Sequence, residues 1–163
     1  MISRASAVAA ILCMSPAAAF AQTTPADGAK VYQRCAACHL PNGQGVPGAF
    51  PAIAGRVPKA AATDAGRDYL VMAVITGLVG EIDVDGKKIR GVMPAQAGLT
   101  DADVAAALNH AIALPAAGAA ADKTVRQFTA QEVAAIKARF NKATPNSIHA
   151  IRSGAFPPAA EAK

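Results

Sequence analysis

No tryptophan occurs in the 163 residues, and aromatic side chains make up only 4% of them. For a chain of about one domain's length, that is a thin stock from which to build a self-sufficient core. Cysteine is scarce too, at three residues, Cys13, Cys35 and Cys38. No second close-set pair of thiols exists, which removes the four-ligand zinc site built from two tight pairs. The formal charge is +5, yet no Lys/Arg run interleaved with aromatics appears, and this excludes nucleic acid as the expected partner. No apolar run reaches the ~20 residues that span a bilayer. A Ser-His-Asp set, a convergent carboxylate pair and internal repeats are likewise missing.

What the chain does have is Cys35-Ala36-Ala37-Cys38-His39. Two thiols separated by two residues and followed at once by histidine is the spacing of covalent haem attachment. One helical turn brings both sulfurs to the two vinyl groups of a porphyrin, and the next residue offers its imidazole to the iron. The competing readings are a redox-active Cys-x-x-Cys pair and half of a zinc site. The first wants a βαβ context, whereas Leu40-Pro41-Asn42-Gly43-Gln44-Gly45-Val46-Pro47-Gly48 is a loop too rich in Gly and Pro for a helix. The expected cofactor is therefore one covalent haem c with its iron. A second is excluded by the lack of another such motif. A buried macrocycle also supplies apolar surface that so few aromatics cannot.

Residues 1–21 read as a signal peptide. Arg4 gives a modest positive start, Ala5 to Leu12 are almost wholly apolar, and Ala19-Phe20-Ala21 has the small-x-small pattern that places cleavage before Gln22. Ser15 and Pro16 break the apolar run, which argues against a retained anchor. Removing 21 of 163 residues leaves 142, and losing Arg4 leaves 15 basic against 11 acidic residues, a formal +4. This mild basicity points to an acidic protein face as the docking partner.

A first helix is expected from about Asp27 into the cysteine motif, with Pro25 and Asp27 as start signals and Gly28 and Tyr32 on one face. A second runs from Asp64 or Gly66 to Thr76, its stripe formed by Tyr69, Leu70, Ala73 and Val74, continuing to Leu78, with Gly77 as the stop. Glu81 to Arg90 alternate around Asp85-Gly86, reading either as a short hairpin with a primed turn or as an irregular loop. Thr100 and Asp103 then open a third helix with a capping-box-like pair, and Pro115 ends it.

These features together resemble the class I cytochromes c, small soluble electron carriers, over roughly residues 26–115. The resemblance implies an all-α fold, the cytochrome c fold of three to five helices around a covalently bound haem. A small β-hairpin and an α-helical C-terminal extension complete it. It implies a domain at 22–115 after the signal, with 116–163 as the extension. In the family, the motif histidine and a methionine in a later loop are the axial ligands, here His39 and Met93; Cys35 and Cys38 carry the ring. The prolyl carbonyl that holds the imidazole would be that of Pro51, although Ile53 stands where the family has leucine. Of the two methionines past the signal, Met72 lies inside a helix and reads as packing. His110 and His149 carry little weight as ligands.

The implied function is a periplasmic monohaem carrier, not an enzyme, moving single electrons between redox proteins, since bacterial c-type attachment is a periplasmic process in the family. Two alternatives stand beside it: an electron-accepting subunit of a periplasmic dehydrogenase, with 116–163 as the interface, and a haem enzyme or sensor with an open site. Lys87, Lys88 and Arg90 read either as a basic rim that steers an acidic partner or as solvated hairpin residues. Arg56 and Tyr69 are candidate partners of a haem propionate. In the extension, Ala116 to Ala121 look like a linker. Phe128-Thr129-Ala130-Gln131-Glu132 shows another capping box before Val133, Ile136 and Phe140. Thr144-Pro145 starts a last short helix, and 153–163 look frayed.

Overall fold

The computed structural model describes residues 26–121 and 124–156. The signal peptide, Pro25 and the last seven residues lie outside that range. Helix α1 spans Gly28–His39, and Asp27 caps it by accepting hydrogen bonds from the amides of Ala29 and Lys30. Its N-terminal end crosses α4 (Asp101–Ala113) very closely. A Cβ on Gly28 would stand 2.5 Å from the Ala106 carbonyl oxygen, and one turn on Tyr32 packs its ring 4.8 Å from that of His110. The Gly28–Tyr32 face is thus the one that seats the cysteine-bearing helix. Gly28→Val is expected to cost about 1–3 kcal/mol by overpacking, read as a lower thermal midpoint; an unchanged midpoint would refute the close crossing.

A helix that the sequence reading omitted, α2 (Arg56–Ala61), precedes α3 (Asp64–Thr76). Its signals are weak: Gly55 caps it without a side chain, and Pro58 sits in its first turn, where a missing N–H costs little. The α3 bounds agree with expectation, Thr63 capping the start and Gly77 the end. Its apolar face is wider than a stripe. Tyr69 to Val74 are all buried, because α2, α4, α5, α6 and α7 all pack against this helix.

The hairpin reading holds and extends. Strands β1 (Leu78–Val84) and β2 (Lys87–Met93) pair antiparallel from Val84 opposite Lys87 to Leu78 opposite Met93. Asp85 and Gly86 both have positive φ, 55° and 78°, as a primed two-residue turn demands. Met93 therefore ends a strand and does not lie in a loop; a strand can run up to the residue before proline, which favours extended backbone. Helix α4 carries the full capping box, Thr100 and Asp103 bonding reciprocally.

The extension packs back onto this frame. Helix α5 (Ala130–Arg139) buries Val133 and Ile136, and α6 (Pro145–Ala150) buries Ile148, all in the same apolar cluster as Val71, Val104 and Ile112. Two expectations are corrected. Thr129 caps α5, but Glu132 does not complete a box; its carboxylate turns to Arg67 at 2.6 and 2.7 Å and to Arg126. Residues 152–155 form a short helix, α7 (Arg152–Ala155), with Ala155 buried, so this part of the tail is not frayed.

Candidate cofactor site

The last turn of α1 presents Cys35 and Cys38 as half-buried free thiols and His39 as a buried imidazole, 8% exposed. Burial pushes the Cys35 thiol above its ordinary value. Past His39 the chain reverses at Leu40, whose φ is 64° and whose carbonyl accepts from the Tyr32 hydroxyl and the Gly43 amide. The loop then folds back through a Val46–Phe50 bridge, and the Ile53 and Ala54 amides both donate to the Gly43 carbonyl. This return sets the Pro51 carbonyl 2.8 Å from His39 Nδ1. A carbonyl can only accept, so Nδ1 carries the proton, and in neutral His39 the Nε2 lone pair is left free for a metal. Burial lowers the imidazole's pKa, the Pro51 contact opposing it in part, which favours that neutral form.

Two adjoining hollows open beside this turn, with empty volumes of about 810 and 1080 Å³. Both are lined by Cys35, His39, Pro51, Leu78, Ile82 and Met93, so they form the two sides of one cleft. Their size is that of small-molecule sites, ~300–1,000 Å³. The walls of the first are mainly aliphatic, with Leu70, Val74 and Leu108 among them. Met93 reaches the cleft from the end of β2, next to Pro94, and the Gln96 amide ties the following turn to the Val74 carbonyl on α3.

The remaining candidates separate cleanly. Met72 is buried in the core and lines neither hollow, and His110 stacks on Tyr32 outside them. His149 lines the second hollow, but its Nε2 is engaged by the Glu81 carbonyl at 2.7 Å, donating to it. Arg56 and Tyr69 both line the first hollow. Burial pushes the Tyr69 hydroxyl up, and the Arg152 guanidinium draws it part of the way back. Arg152 and Phe156 line this hollow too, although nothing local in the sequence marks them. Among the described residues no group of three or more His, Cys, Asp or Glu is placed to hold a metal ion, so the thiol pair has no zinc-site partners.

The family model described as cytochrome c matches residues 25–111. The chain belongs to the cytochrome c family. A cytochrome c-552 of Thermus thermophilus is 47% identical over 127 residues, covering 78% of this cytochrome and 95% of the relative. A second cytochrome c-552, from another record of the same species, has the same identity over 127 residues and 84% coverage of its own length. The likeness thus runs well beyond the family match and into the extension.

Membership in this family brings one covalent haem c with its iron, and makes the cytochrome an electron carrier that works with redox proteins. The cleft fits that cofactor. Its walls are apolar, two thiols at the attachment spacing stand at one edge, and an oriented imidazole and a thioether both reach into it. Among the described residues no helix is long and apolar enough to cross a membrane.

Proposed function

We propose that this cytochrome is an exported, periplasmic monohaem carrier that passes single electrons between redox proteins. Cys35 and Cys38 hold the ring by thioether bonds, and His39 and Met93 are the axial ligands. The observation that carries this reading is the His39–Pro51 hydrogen bond, which directs a free Nε2 toward a cleft that Met93 also lines. Bound there, haem supplies an iron that alternates between ferrous and ferric states. The protein's work is to keep that change small in structural terms. The α1 turn and Pro51 fix the imidazole, and the β2 terminus fixes the thioether. With both axial positions filled by the chain, no site is left for a substrate, which separates this reading from that of a haem enzyme or sensor. The aliphatic wall disfavours the extra positive charge of the ferric state and so raises the potential.

Electrons would pass at the second hollow. Val92, 68% exposed, and the exposed Val79 and Phe50 line it, and Lys87, Lys88 and Arg90 stand exposed on the same hairpin. Lys88 and Arg90 lie 3.0 and 3.4 Å from Glu81, leaving an apolar patch with a net basic rim for an acidic partner. The free-carrier reading is favoured over the dehydrogenase-subunit reading because Phe128, Val133, Ile136 and Ile148 of the extension face this chain's own core.

The test is expression in a host that matures c-type cytochromes, with the export signal intact. Mass spectrometry should find a chain beginning at Gln22 and heavier by one haem, and the pyridine haemochrome should have the spectrum of a doubly attached ring. A chain without the adduct would end the proposal. Elution as a complex with a dehydrogenase during gel filtration would favour the subunit reading.

A further inference from the structure

The first hollow is aliphatic over most of its wall, yet three polar side chains from distant helices meet along it: Arg56 of α2, Tyr69 of α3 and Arg152 of α7. Phe156 gathers them. Its ring lies 5.2 Å from the Arg56 guanidinium carbon and 4.7 Å from that of Arg152, and it meets the Tyr69 ring edge-on at 5.7 Å. No aspartate or glutamate lines this hollow. The carboxylate paired with Arg56 is Asp85, which stands on the exposed hairpin turn. Arg152 keeps a buried Nε without a hydrogen-bond partner among the described residues. Two cations on an apolar wall, one with an orphaned donor, are an incomplete arrangement, because a buried charge is costly unless an anion meets it.

Haem c brings two propionate carboxylates, and these are its acidic groups. The geometry points to Arg152, supplied by the C-terminal extension, as a propionate-holding residue that acts together with Arg56 and Tyr69. The inference rests on the haem reading above. It goes beyond that reading in giving the extension a part in the cofactor site, since Arg152 lies past residue 111, where the family match ends. Its consequence is electrostatic. An uncompensated propionate stabilises ferric iron, so a cation held against it keeps the potential up.

The test uses the mature holo-protein. Arg152→Gln, compared with the exposed control Lys142→Gln, should keep its haem adduct. At a fixed applied potential its ferrous-to-ferric ratio should fall about three- to tenfold, tenfold being 59 mV for one electron. Arg152→Lys should restore at least half of that loss, which a purely structural role on Phe156 would not. If Arg152→Gln matures too poorly to titrate, Arg152→His replaces it. Its charge disappears as pH rises past ~6.5, so its potential should fall with pH more steeply than the wild type's through that range. A ratio change no larger than the control's, or a histidine variant with the wild-type pH profile, overturns the inference while leaving haem attachment intact. A wild type without haem overturns both. A wild-type potential that moves with added phosphate at constant ionic strength would mean that a free anion holds the site, and would also overturn it.

Discussion

Met93→Ala is expected to lower the reduction potential of the holo-protein by a few hundred millivolts, within the ~0.8 V span that axial ligation commands. It should also abolish the sulfur-to-ferric-iron band at the red end of the visible spectrum. A thioether is a soft, weak donor that favours ferrous iron, and whatever takes its place favours ferric iron. The substitution is a clean one. The backbone at Met93 is held by its pairing with Leu78 and by the Gln96–Val74 hydrogen bond, so the fold should survive the loss of the half-buried side chain. Met72→Leu is the matching control. That side chain is buried away from the cleft, so its potential should match the wild type, with a stability cost below about 1.5 kcal/mol. A Met93→Ala protein with unchanged spectrum and potential would leave only the attachment by Cys35 and Cys38 standing.

The largest expected loss of stability follows from Glu132→Ala. Arg67 is 3% exposed, and its guanidinium meets Glu132 through two hydrogen bonds, the carbonyls of Ala61, Arg126 and Gln127 through three more, and the Phe128 ring at 3.7 Å. Removing the carboxylate leaves a buried cation with neutral partners alone. Breaking such a pair costs about 3–5 kcal/mol, and a chain of this size should lose roughly 10 °C of thermal midpoint. The double variant Arg67→Met with Glu132→Leu should recover much of that loss, because both desolvated charges then disappear. A single variant as stable as the wild type would show that the pair does not hold α5 onto α3.

Acid should reveal the same contact. The Arg67 guanidinium, with Arg126, draws the Glu132 carboxyl down to about 2 against an ordinary 4.5. A depressed acid contributes stability that is fully present above its unfolded value and is lost as the pH falls through the folded one. The wild type should therefore lose stability between about pH 4.5 and pH 2 more steeply than Glu132→Ala does, as measured by denaturant titration across that window. Parallel curves would contradict the assignment.

Neighbouring residues announced most of the helices. Thr100 with Asp103, Thr63 before Asp64, and Asp85-Gly86 between alternating residues each act over a few positions, where a side chain reaches the nearest amides or a turn type demands its own residues. Local logic misled at Glu132, which has the spacing of a capping box but finds a stronger partner in Arg67, 65 residues away. It passed over α2, whose start is a glycine and whose first turn holds a proline, and it took Pro94 as the mark of a loop where a strand runs up to Met93.

By itself the sequence determined the attachment motif, the family resemblance, the helix starts and the pairing of one thioether with one imidazole as candidate ligands. Those follow from spacing and side-chain chemistry within a turn or two. The tertiary structure alone decided that Pro51 returns to orient His39, that α5 to α7 close around α3, and that Arg152 arrives beside Arg56 and Tyr69. Such meetings depend on how apolar faces pack across tens of residues, and no short-range pattern encodes where two distant segments touch.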